Sequence, residues 1–409
     1  PGPSSQAQEG SDSNPAGGVR ELTYYFPTQT SGPLAVTMEE IVKNYNQSQD
    51  KIKITPVFTG DYSATIQKTL TSFAGGNPPH VILTSGGNMP GLINENVVID
   101  VKPYIDQEDD ALMDDYAENF WSMFTYGDKI YGVPFQHSAP IMYYNKDIFK
   151  KAGLDPEAPP KTWSELESAA GKIADANLGI IPFEFMGDDW IVQAMACSNG
   201  GDIFVDDKTV TLNSDATVEA VEFWQNLIQK GIAVENPSYG GVAENFIAES
   251  SAIMFNSTGS MGNVISNATF DWDVSNIPAN DGFEAHAPLG GGGFAIINRD
   301  SKEELADSWE FVKYMTSPEI TAKWSITSGY FAMRYSAYDL PEMKEFFQKN
   351  PQFARTEDFL PILVKPYITK KQPEVAEIFN IALDKALIDN QNAKEVLEQA
   401  QTDAQALLK

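Results

Sequence analysis

The sequence predicts an α/β protein built on mostly parallel sheets covered by helices. Segments patterned as strands and as helices alternate from about residue 21 to the end. The first three strands are separated by helical stripes, and neither repeats nor low complexity follow residue 20. With 409 residues, 42% of them apolar, the chain can bury a sizeable core. Its length suggests roughly two to three domains of about 150 residues each.

Residues 1–20, PGPSSQAQEGSDSNPAGGVR, offer almost nothing to bury and read as a flexible tether. They do not read as a signal peptide; a lipid-anchored cysteine ahead of them is the expectation, a simple disordered tail the alternative. ELTYYFPT opens the fold as a strand that ends at Pro27. Leu34, Met38, Ile41, Val42 and Tyr45 then form a helical stripe. KIKITPVFTG alternates as a strand, and YSATIQKTLTSFAGG reads as a helix closed by Gly75 and Gly76. PPHVILTSGG is the third strand and leads to another helix. Further on, Thr162 is the N-cap of a helix with Glu165 at the capping-box position. DATVEAVEFWQNLIQKG is a helix ended by Gly231, and ENFIAESSAIMFNSTGSMGNV a helix, a strand and a polar turn. DWDVSNIPAN is a strand, and APLGGGGFAIIN a glycine-rich turn feeding another. SKEELADSWEFVKYMTSPEITAKWSITSG is a helix pair, and the tail from EVAEIFNIALDKAL is helical and amphipathic.

The net charge of −29 argues against nucleic acid and against an anionic membrane surface, since both call for clustered cations. A solvated acidic face that keeps the protein soluble accounts for it; an acidic or salty habitat is the alternative. No apolar run reaches the length of about 18 residues that a membrane span needs. The single cysteine, Cys197, lies in the apolar helix WIVQAMACSNGG and reads as a buried structural thiol.

Catalytic signatures do not appear. His80, His137 and His286 lack metal-site spacing, so no metal or cofactor is expected. His137 reads as a polar loop residue or as a hydrogen-bond donor to a ligand. Gly290 to Gly293 precede a strand rather than a helix, which excludes a phosphate loop. Such glycines suit backbone that something approaches closely, or a bend between domains. Asp188 and Asp189 could be recruited as a glycosidase pair, but among 57 acidic residues adjacent carboxylates arise by chance.

PIMYYNKDIFKKAGLDPEAPPKTWSEL, residues 140–166, resembles the central segment of the solute-binding proteins of ABC importers for sugars and polyols. FNSTGSMGNV is similar to that family's binding turn, and LGGGGFAIIN to its return into the first domain. WEFVKYMTSPEITAKWSITSGYFAMR resembles its helix ending in Ser/Thr-Gly-Tyr. The resemblance implies a two-lobed periplasmic-binding-protein fold of type II, with a ligand cleft at the hinge. The implied lobes are 21–136 plus 280–328 and 137–279 plus 329–409. The implied crossings lie at Pro134 to Pro140, near Pro278 and at Thr327 to Gly329. The implied protein is a monomer, periplasmic or lipid-anchored outside the bacterial cytoplasmic membrane, that serves permease subunits and catalyses nothing.

The likeness is greatest to the glycerol-3-phosphate-binding type of the family. Its ligand positions are matched by Tyr62, Ser138, Trp190, Ser257, Gly290, Gly291 and Tyr330. Its second tryptophan falls at Gly187, its acid for the glycerol end at Gly86 and its phosphate-pairing arginine at Ala376. Losing that arginine removes charge-assisted bonds of about 1.5–3 kcal/mol each. Small residues at 86, 187 and 376 are expected to leave room for a larger neutral ligand. By residue type, Trp190, Tyr62 and Tyr330 can stack on a pyranose ring. Asp61, Asp188, Asp189, Ser138, Ser257 and His137 can bond hydroxyls, and Gly290 and Gly291 offer backbone amides. The expected ligand is a neutral sugar or polyol. Glycerol-3-phosphate or a glycerophosphodiester on the same scaffold, and a secreted glycoside hydrolase, are the alternatives.

Overall fold

The computed structural model describes residues 18–28, 33–108 and 112–409. The expected tether therefore lies outside the described residues, apart from its last three. Strands and helices come in alternation. They begin with β1 (Arg20–Phe26), α1 (Pro33–Ser48), β2 (Ile52–Phe58), α2 (Tyr62–Ala74) and β3 (Val81–Ser85). β4 (Val133–Ser138), β5 (Pro140–Asn145), α3 (Trp163–Asp175), β6 (Ile181–Phe185), α4 (Asp189–Cys197), α5 (Asp215–Gln229) and β7 (Ala233–Glu235) follow. Then come α6 (Tyr239–Ile247), β8 (Ser251–Ser257), β9 (Trp272–Asn276), β10 (Gly290–Ile296), α7 (Lys302–Met315) and α8 (Pro318–Ser328). α9 (Gln372–Leu387) and α10 (Ala393–Leu408) close the chain.

These strands form two five-stranded sheets, in the orders β2-β1-β3-β10-β4 and β7-β6-β8-β5-β9. In each, four strands run one way and one runs against them. The reversed strand is β10 in the first sheet and β5 in the second. Both stand next to a passage between sheets. β4 ends at Ser138 and β5 begins at Pro140, so Ala139 alone carries the chain across. Its carbonyl accepts from Thr258 N–H at 2.9 Å, and its own N–H donates to Thr258 Oγ1 at 3.2 Å. A second passage runs from β9 to β10, where Ala287 and Pro288 pair with Leu363 and Val364.

Local chemistry sets the element ends. Asp61 caps α2 by accepting from Ala64 N–H at 2.7 Å. Thr162 caps α3 through Glu165 N–H, while Glu165 accepts from Lys161 N–H rather than from the cap residue itself. Ser317 and Pro318 start α8, which Gly329 closes at φ 92°. The two cores are aromatic. Phe135 packs on Phe294 with ring centroids 4.6 Å apart, and Trp324 stacks behind it. In the second sheet Phe185 and Trp224 stack at 4.3 Å. Each ring so buried contributes about 2–3 kcal/mol.

Gly290 to Gly293, expected as a turn, lie inside β10. The sheet needs them for close approach. Gly291 has φ +81°, and a β-carbon on it would sit 1.8 Å from the Gln136 carbonyl oxygen. Cys197 is half-buried rather than fully buried, and desolvation pushes its thiol pKa up to about 12, so it is inert. Among the described residues no helix is long and apolar enough to cross a membrane.

Candidate functional site

The candidate site grows from β4. Side chains alternate along a strand, so Gln136 and Ser138 share one face and His137 takes the other. On the first face the Gln136 Nε2–H donates to Tyr62 Oη at 2.7 Å, which ties the start of α2 to the strand. Ser138 pairs in register with Gly290. A β-carbon on Gly290 would lie 2.9 Å from Ser138 Oγ and 2.5 Å from the Trp190 ring. Trp190 thus lies close against bare backbone, and its indole N–H donates to the Pro288 carbonyl at 3.1 Å. Tyr330 packs against Gly259, where a β-carbon would come within 3.1 Å of its ring. Ser257 Oγ accepts from Gly259 N–H at 3.0 Å and keeps its own hydrogen for another partner. Desolvation raises the Tyr62 phenol well above its usual range, and the neighbouring Tyr330 raises it further. Tyr62, Ser138, Trp190, Ser257, Gly290 and Tyr330 therefore converge where the sheets meet.

Other expected groups have different roles. Asp61 is exposed and held as the cap of α2. His137 is fully buried against Phe120 and Phe124, not a polar loop residue. Its Nδ1 lies 3.0 Å from the Gly290 carbonyl and its Nε2 3.0 Å from the Phe120 carbonyl. Desolvation lowers its pKa to about 4, against the pull of both carbonyls. Gly291 is buttressed by the Gln136 carbonyl, so its contribution is packing.

Asp188 and Asp189 keep some accessible surface, yet every carboxylate oxygen already holds a protein donor. Ile191 N–H and the Tyr239 hydroxyl donate to Asp188, at 3.0 and 2.5 Å. Asn380 Nδ2 donates to Asp189 at 3.1 Å, and the Tyr367 hydroxyl donates to its other oxygen. Protein crowds the pair closely enough that desolvation lifts both pKa values, and the charge of Asp189 lifts Asp188 further. The arrangement fastens α4 to α6, α9 and the segment at 367.

The room expected at 86 and 187 is filled. A β-carbon on Gly86 would lie 2.6 Å from Met123 Cβ, and one on Gly187 would lie 2.4 Å from Leu387 Cδ1. Those positions are glycine because a neighbour occupies the space. Sequence reasoning passed over Gln136, although its place two residues before Ser138 puts it on the same face. Tyr239, Tyr367 and Asn380 carried no such local signal.

The family model for bacterial extracellular solute-binding proteins matches residues 40–355, well over half of the chain. The chain belongs to this family. Its members bind solutes outside the cytoplasm, and this chain is a solute-binding protein of an ABC importer, not an enzyme. It is 28% identical over 353 residues to the sn-glycerol-3-phosphate-binding periplasmic protein UgpB of Yersinia pestis bv. Antiqua, covering 81% of this chain and 78% of that protein. The structure of UgpB from Mycobacterium tuberculosis in complex with glycerophosphocholine superposes with a TM-score of 0.85 at 23% identity, over 96% of this chain and 99% of that one. The cyclic α-maltosyl-1,6-maltose binding protein of Arthrobacter globiformis gives 0.82 at 22% identity, over 96% of this chain and all of that one. These likenesses establish the two-lobed periplasmic-binding fold.

Proposed function

We propose that the chain captures a neutral mono- or oligosaccharide or polyol by closing lobe 21–136 plus 280–328 onto lobe 137–279 plus 329–409, and delivers it to the importer's permease. One observation carries this reading. The side chains that converge at the passage between sheets, Tyr62, Gln136, Ser138, Trp190, Ser257 and Tyr330, are all uncharged. Among the described residues no lysine or arginine contributes to the shifts at Tyr62, Tyr330 or His137. A buried phosphate calls for charge-assisted donors, and Ala376 supplies none. The face of Trp190 suits the apolar side of a pyranose.

Glycerol-3-phosphate or a glycerophosphodiester is the second reading. Lys370 and Lys371 favour it, since they line a groove with Asn88 and Gln372 beside the start of α9. Melting temperature against a ligand panel decides between the two. A ligand at about 100 times its Kd adds about 2.7 kcal/mol. Maltose, maltotriose or ribitol should raise the melting temperature where sn-glycerol-3-phosphate and glycerophosphocholine do not. A shift with the phosphates alone overturns the neutral reading.

A further inference from the structure

Gln136 is 5% exposed, and its Oε1 is fully covered yet has no hydrogen-bond donor. Its amide nitrogen is engaged by Tyr62 Oη, which fixes the other end of the amide. The reverse orientation would place the buried N–H₂ where no acceptor waits and leave both of its hydrogens unpaired. Tyr62 Oη, having accepted from Gln136, keeps its own hydrogen to give away. Both groups stand on the β4 face that carries Ser138 and that Trp190 overlies.

We infer that Gln136 and Tyr62 together read a hydroxyl-bearing solute: Oε1 accepts a proton from the solute while the Tyr62 hydroxyl donates to it. This rests on the solute-binding reading above and narrows its chemistry. A sugar or polyol hydroxyl is donor and acceptor at once, and two vicinal hydroxyls satisfy the pair fully. A phosphate oxygen offers acceptors only, so at this point it leaves Oε1 facing another negative oxygen. Gln136 is thus a specificity-determining residue that selects hydroxyl over anion. Burying an unpaired carbonyl costs stability in the free protein, and the solute removes that cost on binding.

Gln136→Met keeps the side-chain volume and removes both polar atoms. The free variant should melt at or above the wild-type temperature, while the Kd for whichever of maltose, maltotriose or ribitol stabilises wild type should rise about tenfold or more. Gln136→Glu, which keeps the acceptor, should weaken these neutral solutes less than Gln136→Met does and should not gain sn-glycerol-3-phosphate binding. If wild type answers a neutral solute and Gln136→Met binds it unchanged, the inference fails and the neutral reading stands. If wild type answers sn-glycerol-3-phosphate alone and Gln136→Met weakens it, the neutral reading fails, while recognition of the glycerol hydroxyls by Gln136 stands. A free Gln136→Met that melts well below wild type makes the residue structural and overturns the inference, whatever binds.

Discussion

Trp190 and its two predecessors in the chain, Asp188 and Asp189, were all candidates for touching a solute, Trp190 by likeness to a family position and the carboxylates by residue type alone. The structure separates them by unused bonding capacity. The carboxylates have a protein donor on all four oxygens, two of them tyrosine hydroxyls. Where the sheets meet, Gln136 keeps a covered carbonyl with no donor, and Trp190 spends only its indole N–H, on Pro288. Between these two clusters, the satisfied carboxylates hold the fold, and the groups with a bond to spare are the candidates for a ligand.

Replacing a carboxylate puts the largest strain on that distinction. Asp189→Ala orphans the Tyr367 hydroxyl and the Asn380 amide at once. At about 1–3 kcal/mol per buried group left unpaired, the loss should be about 2–6 kcal/mol in urea unfolding. Solute affinity of the molecules that remain folded should hold within about threefold, or the residue belongs with Trp190 after all.

The buried imidazole comes next. His137 is lowered from 6.5 to about 4 by desolvation. The unfolded chain therefore binds its proton more readily between those values, and the native state loses stability as pH falls through them. Comparing urea unfolding of wild type with His137→Asn should show the wild-type advantage shrinking from pH 7 to pH 4 by on the order of 3 kcal/mol. A difference that stays flat would mean that the ring titrates alike in the folded and unfolded chain, and one that grows would mean that the folded ring holds a proton and bonds both carbonyls.

The aromatic platform gives the smallest effect. Trp190→Ala should weaken solute binding by about 1–3 kcal/mol in calorimetry, with little change in the melting of the free protein. Trp190→Phe, which keeps a ring and loses the bond to Pro288, should cost about 1 kcal/mol. A larger loss in stability than in binding would class the ring with the carboxylates.

Much of this was legible beforehand. The strand–helix rhythm gave the α/β class, and the segment around Pro140 marked a passage between sheets. Tyr62, Ser138 and Trp190 were carried over from the family's ligand positions, and the structure brings them to one place. Gln136 was within reach of period-two reasoning on its strand. The partners that tie up Asp189 were not, because Tyr367 and Asn380 lie 178 and 191 residues downstream. The same distance hid the true reason for Gly187, since Leu387 is brought to it only by the packing of α9. Whether a small residue makes room or yields it depends on what folds against it.

The wiring of the two sheets also bears on how the chain assembles as it is made. All five strands of the second sheet lie between Pro140 and Asn276, whereas the first sheet lacks β10 until Ile296 has emerged. β10 stands between β3 and β4, so until then β4 has no neighbour in its own sheet. The half of the molecule synthesised first therefore completes its sheet last. A chain cut short anywhere between residues 277 and 289 would hold one whole sheet and one from which β4 is still detached.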